Sequence, residues 1–186
     1  MSRIVYVSPY VHNIYMVREI VKYPAEILTR PTERVDTIDD NIRKLIRDMF
    51  ETMYSAEGVG LAANQVGEPL SILVIDTTPR EDAPDLKLAL INPEVVSLEG
   101  KQRFKEGCLS FPGLTVEVER AECVRVKALN EQGEPIEVEL SGFPAVVFQH
   151  EFDHLQGITF IDRLKGWRKR LALDRYKKLL KEAQRA

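Results

Sequence analysis

Two histidines at helical spacing, with a carboxylate beside the first, are the residues of this chain best suited to chemistry. His150 and His154 lie four residues apart, Glu151 follows the first, and the 186-residue chain contains only three histidines. Residues four apart project from the same face of an α-helix, so both imidazoles can bind one metal ion. Glu151 can then reach a water on that metal. The spacing predicts a metal-dependent hydrolase.

The flanking residues argue against a solvent-exposed helix that carries the same letters by coincidence. A largely apolar run over 143–148 leads into the motif, and Phe152 and Leu155 interleave with it. Such a helix is expected to be buried, and burying imidazoles and carboxylates without partners is costly. A purely structural metal is the alternative that this reasoning leaves open.

The third ligand decides which kind of site this is. The extended pattern H-E-x-x-H-x-x-G-x-x-H fails at Phe160, which stands where the last histidine is needed. Asp174 and Glu182 lie in a lysine-rich stretch typical of an exposed helix face. Cys108, in the segment EGCLS at 106–110, is the better donor, because a thiolate with two neutral imidazoles suits zinc or ferrous iron.

Cys108 has two simpler interpretations. It can be a small buried apolar residue, or it can form a disulfide with Cys123. Two cysteines and no sign of an oxidising compartment argue against the disulfide.

A glycine-rich segment, GVGLAANQVG at 58–67, is the third element of interest. Its glycines allow the backbone to approach a ligand closely. The alternative is the end of a helix followed by a loop. The segment lacks the Lys-Ser/Thr ending of a phosphate-binding P-loop.

Taken together and in this order, the three segments resemble the motifs of the peptide deformylase family. That family carries G-x-G-L-A-A-x-Q, E-G-C-L-S and Q-H-E-x-D-H-x-x-G, and the chain reads GVGLAANQ at 58–65, EGCLS at 106–110 and QHEFDHLQG at 149–157. The resemblance covers roughly residues 16–186. It implies an enzyme that hydrolytically removes the N-formyl group from the initiator methionine of nascent polypeptides and releases formate.

The resemblance also implies roles for the motif residues. Glu151 would act as general base and then as general acid. The Gln65 side chain and the Leu109 backbone N–H would stabilise the oxyanion. One divalent metal would be bound, Fe(II) in the cell, with Zn, Ni or Co possible in purified protein. The implied metal ligands are Cys108, His150 and His154.

Second-shell and substrate roles follow from the same resemblance. Glu106 and Asp153 would orient the ligands, with an ordinary turn or surface carboxylate as the alternative for each. The backbone of Val59 and Gly60 would pair with the substrate main chain. The wall of an apolar methionine pocket would be formed by Phe143, Val146 and Val147. The alternative for these three residues is plain core packing.

The expected fold class is α+β, with antiparallel or mixed β-sheets around a central metal-binding helix and a C-terminal helix. With 44% hydrophobic residues the chain can bury the core of one domain, and it has no apolar run near the ~20 residues of a membrane span. We expect residues 1–15 to be an N-terminal extension, or translation to start at Met16, and residues 16–186 to form a single catalytic domain. The two cysteines and the lack of a signal-peptide pattern predict a cytoplasmic protein.

Periodicity and turn residues predict the individual elements. One amphipathic helix spans 38–53, is capped by Asp36 or Thr37, and ends near Gly58. The metal-binding helix is expected over 144–156 and the last helix from about Gly166. The expected strands are 70–76, 87–92, 115–119, 123–129 and 135–140, with a hairpin turn at 130–133.

Charge is distributed unevenly along the chain. Residues 163–186 contain ten Lys or Arg and two Asp or Glu, a net charge of +8, so residues 1–162 carry −11 of the total of −3. A basic C-terminal helix predicts attraction to a polyanion such as ribosomal RNA, and the resemblance points to the ribosome. The alternative is a solvated helix packed through Leu171, Leu173 and Leu180.

Two other functions compete with deformylation. One is a general zinc metallopeptidase, and the other is a non-enzymatic ribosome- or RNA-binding protein with a structural metal. A structural site usually has four protein ligands, and the spare soft ligands, Cys123 and His12, have no ligand-like spacing. This favours an open, catalytic site.

Overall fold

A computed structural model describes residues 16–185, which form three α-helices and seven strands. The expectation for residues 1–15, and the third histidine, His12, lie outside the described residues. The helices are α1 Asp40–Ser55, α2 Phe143–Leu155 and α3 Trp167–Ala183. The strands are β1 Gly60–Ala62, β2 Ile72–Asp76, β3 Lys87–Glu99, β4 Gln102–Gly107, β5 Thr115–Arg120, β6 Cys123–Leu129 and β7 Pro135–Ser141.

The strands form two antiparallel sheets. The larger has the order β1-β2-β3-β6-β7, and the smaller pairs β4 with β5. With helices packed on these sheets and a helix at the C-terminal end, the predicted α+β class is confirmed. None of the described helices combines the length and the apolar character that a membrane crossing requires.

Strand β2 separates two layers of core. All five of its residues are buried, because Ile72 and Val74 face the cluster that includes α1 while Leu73 and Ile75 face the cluster that includes α2. This alternation is the ordinary consequence of a strand covered on both faces. A third cluster joins α3 to the β5 region through Phe111, Phe160 and Tyr176. Helix α2 packs against β1, β2 and β7, and ten of its thirteen residues are buried.

Helix α1 begins later than the sequence predicted. Its N-cap is Asp39, whose side chain accepts a hydrogen bond from Ile42 N at 3.0 Å, so the prediction of Asp36 or Thr37 is wrong. Ile38 lies before the cap yet packs against the core, and this mimics one more helical residue in the periodicity. The helix ends at Ser55, ahead of Gly58.

The other elements lie close to their predicted positions, with two omissions. Helix α2 spans 143–155, and α3 begins at Trp167 directly after Gly166. Strand β3 continues to Glu99 through two irregularities in its pairing with β6. Strands β1 and β4 were not predicted, although β1 lies within the glycine-rich segment and β4 leads directly into Cys108.

Candidate metal centre and active site

Helix α2 and the turn after β4 bring three metal-binding side chains together. The ligand atoms of Cys108, His150 and His154 all lie within 4.8 Å of one another, and Cys108 Sγ is 3.2 Å from His154 Nε2. A tetrahedral zinc site with ordinary bond lengths would separate a sulfur and a nitrogen ligand by about 3.6 Å. The donor set and its spacing therefore fit one divalent cation, and no fourth Cys, His, Asp or Glu within residues 16–185 joins the group.

An ion-pair network behind the site fixes the orientation of one of the three side chains, His150. His150 Nδ1 lies 2.8 Å from Glu106 Oε2, and Arg120 donates to both oxygens of Glu106 at 2.7 and 3.0 Å. Arg120 also donates to Asp153 at 2.5 Å, and Arg163 binds the same carboxylate. Although burial opposes its charge, the hydrogen bonds from Arg120 and His150 lower the pKa of Glu106.

The Glu151 carboxylate is buried and open to a new partner. Its side chain is on the wall of the cavity, the residue is 4% exposed, and Oε2 has no hydrogen-bond partner in the described part of the chain. Burial raises the pKa of Glu151 to about 7, against the opposing charge of His150. A carboxylate in this state suits proton transfer near neutral pH.

Gln65 is held so that its amide nitrogen faces the site. Its Oε1 accepts from Ala62 N at 2.9 Å, so Nε2 points toward Ser110 Oγ at 3.2 Å and Cys108 Sγ at 3.7 Å. The backbone N–H of Leu109 has no acceptor within residues 16–185, and Leu109 is half-buried at the cavity wall. The Leu109 N–H is thus free to donate to a ligand, whereas Gln65 Nε2 would exchange one of its present contacts to do so.

These residues line a cavity of about 570 Å³. The wall of this cavity includes the five residues expected to contact substrate, which are Val59, Gly60, Phe143, Val146 and Val147. Phe104, which was not singled out from the sequence, adds a second aromatic ring 5.2 Å from that of Phe143. His154 and Asp153 lie behind the wall and are 1% and 2% exposed.

The rejected ligands are placed as expected. Asp174 and Glu182 side chains are 63% and 59% exposed on α3, and Phe160 is buried with its ring centroid 5.7 Å from that of His150. Cys108 and Cys123 are both free thiols, so the disulfide interpretation is excluded.

Sequence reasoning missed Arg120 and Arg163. Arg120 is 5% exposed and joins β5 to both ligand-bearing segments. No local pattern marks it, because the alternation V-E-V-E-R along β5 resembles a half-exposed strand.

Comparison with known proteins agrees with the geometry. The family model described as polypeptide deformylase matches residues 17–170. The chain belongs to this family. The peptide deformylase of Aquifex aeolicus (strain VF5) is 70% identical over 166 residues, which are 89% of this chain and 98% of that protein.

Solved structures of the deformylase family have the same fold. A peptide deformylase from Legionella pneumophila superposes with a TM-score of 0.83 at 40% identity, over 91% of this chain and 99% of that one. The peptide deformylase of Synechococcus elongatus, solved in complex with actinonin, has a TM-score of 0.78 at 39% identity, over 91% and 94% of the two chains.

Proposed function

We propose that this deformylase hydrolyses the formamide bond of N-formyl-methionyl peptides and releases formate, using one divalent metal. The observation that carries the proposal is the convergence of Cys108, His150 and His154 beside the buried, unpartnered Glu151 at the wall of an apolar cavity. Membership of the deformylase family supports the substrate class. We assign residues 16–186 to a single catalytic domain.

The residues of the chain divide the chemistry between them. The bound cation would supply Lewis acidity, lowering the pKa of a coordinated water and polarising the formyl carbonyl. Glu151 takes the proton of the attacking water at Oε2 and then delivers it to the departing amine. Gln65 Nε2 and the Leu109 N–H donate to the oxyanion that develops on the former carbonyl oxygen. Glu106 holds the His150 imidazole directly, and Asp153 supports Glu106 through their shared partner Arg120.

The cavity supports methionine as the first residue of the substrate. Phe143, Val146 and Val147 offer an apolar wall to an unbranched thioether side chain. Strand β1 is at the edge of its sheet, so the backbone near Val59 and Gly60 can pair with an extended peptide.

The donor set admits several metals. One thiolate and two imidazoles accommodate Fe(II), Zn, Ni or Co, and cellular supply selects among them. We propose Fe(II) as the working ion, with zinc taken up during aerobic purification.

We also propose that α3 binds the ribosome, in the cytoplasm where nascent chains are made. The helix carries most of the net charge of +8 found in residues 163–186. Two apolar residues, Trp167 and Leu171, are 74% and 60% exposed and lie beside Arg168 and Arg175. Basic side chains next to an exposed aromatic ring suit RNA phosphates and bases. The test is co-sedimentation of the protein with ribosomes. Binding that is unchanged in the double variant Arg168→Gln/Arg175→Gln, or that does not depend on salt, would contradict this assignment.

The central test is formate release from a short N-formyl-methionyl peptide by anaerobically prepared, iron-loaded protein. We expect release by the wild type and a loss of about 10²- to 10⁴-fold in Glu151→Gln with the metal still bound. Cys108→Ala should lose the metal, and actinonin should inhibit the wild type. A general peptidase would instead cleave unformylated peptides, and a protein with a structural metal would release nothing.

A further inference from the structure

Three consecutive residues near the N-terminal end of the described chain reach across to the two oxyanion donors. Two of them use backbone N–H groups and the third uses a lysine side chain. Each binds a backbone carbonyl oxygen of the active-site segments. The hydrogen bonds run from Val21 N to Gln65 O (2.8 Å), from Lys22 Nζ to Leu109 O (2.8 Å) and from Tyr23 N to Ser110 O (3.0 Å).

The same segment is anchored at its other end on α1. Arg18 donates its backbone N–H to Thr52 Oγ1 at 2.8 Å, and its side chain pairs with Asp48 and Glu68. Thr52 and Asp48 are almost fully buried, so the anchor is fixed by the core. Residues 16–23, here called the N-terminal strap, therefore connect α1 to both halves of the oxyanion site.

The strap matters because the two donors come from separate parts of the chain. Gln65 lies in a short 3₁₀ helix after β1, whereas Leu109 lies in the turn after β4. An oxyanion is stabilised only when both donors are held at hydrogen-bond distance from the same point. A displacement of about 1 Å can cost about 10²-fold in rate. A brace across the two segments fixes their separation.

We propose that the N-terminal strap sets the geometry of the oxyanion site and that Lys22 is a positioning residue for Leu109. This inference rests on the proposed function. The Leu109 N–H must stay free to donate to the reacting oxygen, so the residue has to be held through its other backbone group. Lys22 holds that group, the carbonyl oxygen, from an exposed position where its ammonium needs no burial.

Lys22 also lines the cavity, so it could instead bind substrate directly. The two roles differ in kinetics. A residue that contacts the peptide changes KM in a way that depends on peptide charge, whereas a residue that orients an oxyanion donor changes kcat for every peptide.

The test compares Lys22→Met, which keeps the length of the side chain, with Lys22→Arg, which keeps a cationic donor. Lys101→Met removes an exposed lysine that lies outside the cavity and serves as the charge control. Formate release is measured on amidated N-formyl-Met-Ala and N-formyl-Met-Asp peptides. Metal content and the unfolding midpoint are measured in parallel. Amide hydrogen exchange of Val21 and Tyr23, whose N–H groups bind the same two segments, is followed on the metal-loaded protein.

We expect kcat of Lys22→Met to fall about three- to ten-fold on both peptides, with KM, metal content and unfolding midpoint unchanged. Exchange at Val21 and Tyr23 should accelerate, Lys22→Arg should restore kcat, and Lys101→Met should match the wild type. An unchanged kcat, a change confined to KM on the acidic peptide, or a loss that follows unfolding would each overturn the inference. No release by the wild type would instead reject the proposed function.

Discussion

Replacing Gly60 by alanine should disable Glu151 while leaving the metal ligands in place. A Cβ at position 60 would lie 2.6 Å from Glu151 Oε1 and 2.8 Å from Val147 Cγ1. The first distance is roughly 1 Å inside ordinary van der Waals separation. Because α2 is buried among core residues, the carboxylate is the group most able to move. The methyl group therefore acts directly on the proposed general base.

The size of the effect follows from these distances. Moving a catalytic group by about 1 Å costs about 10²-fold in rate, so we expect kcat/KM for formate release to fall by about that factor. Overpacking costs about 1–3 kcal/mol, which the free energy of unfolding in urea would record. Metal content should stay at the wild-type level, because the three atoms nearest the new methyl group belong to Glu151 and Val147 and none belongs to Cys108, His150 or His154.

A second substitution separates packing from catalysis. In the double variant Gly60→Ala/Val147→Ala, the new methyl group no longer meets Val147 Cγ1. The loss in free energy of unfolding should therefore be smaller than the sum of the losses in the two single variants. The contact with Glu151 remains, and kcat should stay low. Gly107→Ala is the matched control, since its Cβ would meet Thr115 at an ordinary 3.6 Å. A Gly60→Ala enzyme with wild-type kcat would refute the reasoning.

Three further perturbations test the supports of the site. Arg120→Met leaves the buried carboxylates of Glu106 and Asp153 with only His150 and Arg163 as partners, and it should lower the free energy of unfolding by about 3–5 kcal/mol in urea titrations. Burial opposes ionisation of Asp48, but hydrogen bonds from Lys44, the Met16 N–H and Arg18 outweigh burial and lower the pKa of Asp48. Ionised Asp48 therefore stabilises the fold above its unfolded pKa of about 3.9. That stability is lost as the pH falls below this value. The free energy of unfolding of Asp48→Asn should accordingly fall less at acid pH than that of the wild type. Removing the metal with a chelator should lower the thermal unfolding midpoint, and adding Zn²⁺ should restore it, whereas an unchanged midpoint would mean that the metal does not bind the folded state preferentially.

The sequence predicted best the elements whose signals are local. Helix α2 was placed within one residue at each end, because its apolar run and its histidine spacing both lie inside the helix. Strand β4 was missed because its residues, QRFKEG, are largely charged, and they are stable as a strand only through full pairing with β5. The cap of α1 was misplaced because several good capping residues lie side by side, and only tertiary packing of Ile38 selects among them.

The site shows the same division between local and distant information. The three metal-binding side chains and Glu151 could be identified because short motifs contain them. Arg120 could not, because its meaning comes from partners in β4 and α2 that are far away in sequence. Lys22 likewise gains a role only from the carbonyl group that it meets across the fold.

Charge balance explains why this buried centre calls for a divalent cation. Arg120 and Arg163 offset the two supporting carboxylates, Glu106 and Asp153, so the network behind the ligands is close to neutral. The ligand thiolate and the Glu151 carboxylate then remain as two negative charges in surroundings where charge is costly. A protonated His150 would offset only one of these charges and could not bind a metal, whereas one doubly charged ion bound by the thiolate and two neutral imidazoles would offset both. The ion-pair network thus does more than orient His150: by neutralising its own carboxylates, it leaves a bound metal to balance only the charges of Cys108 and Glu151.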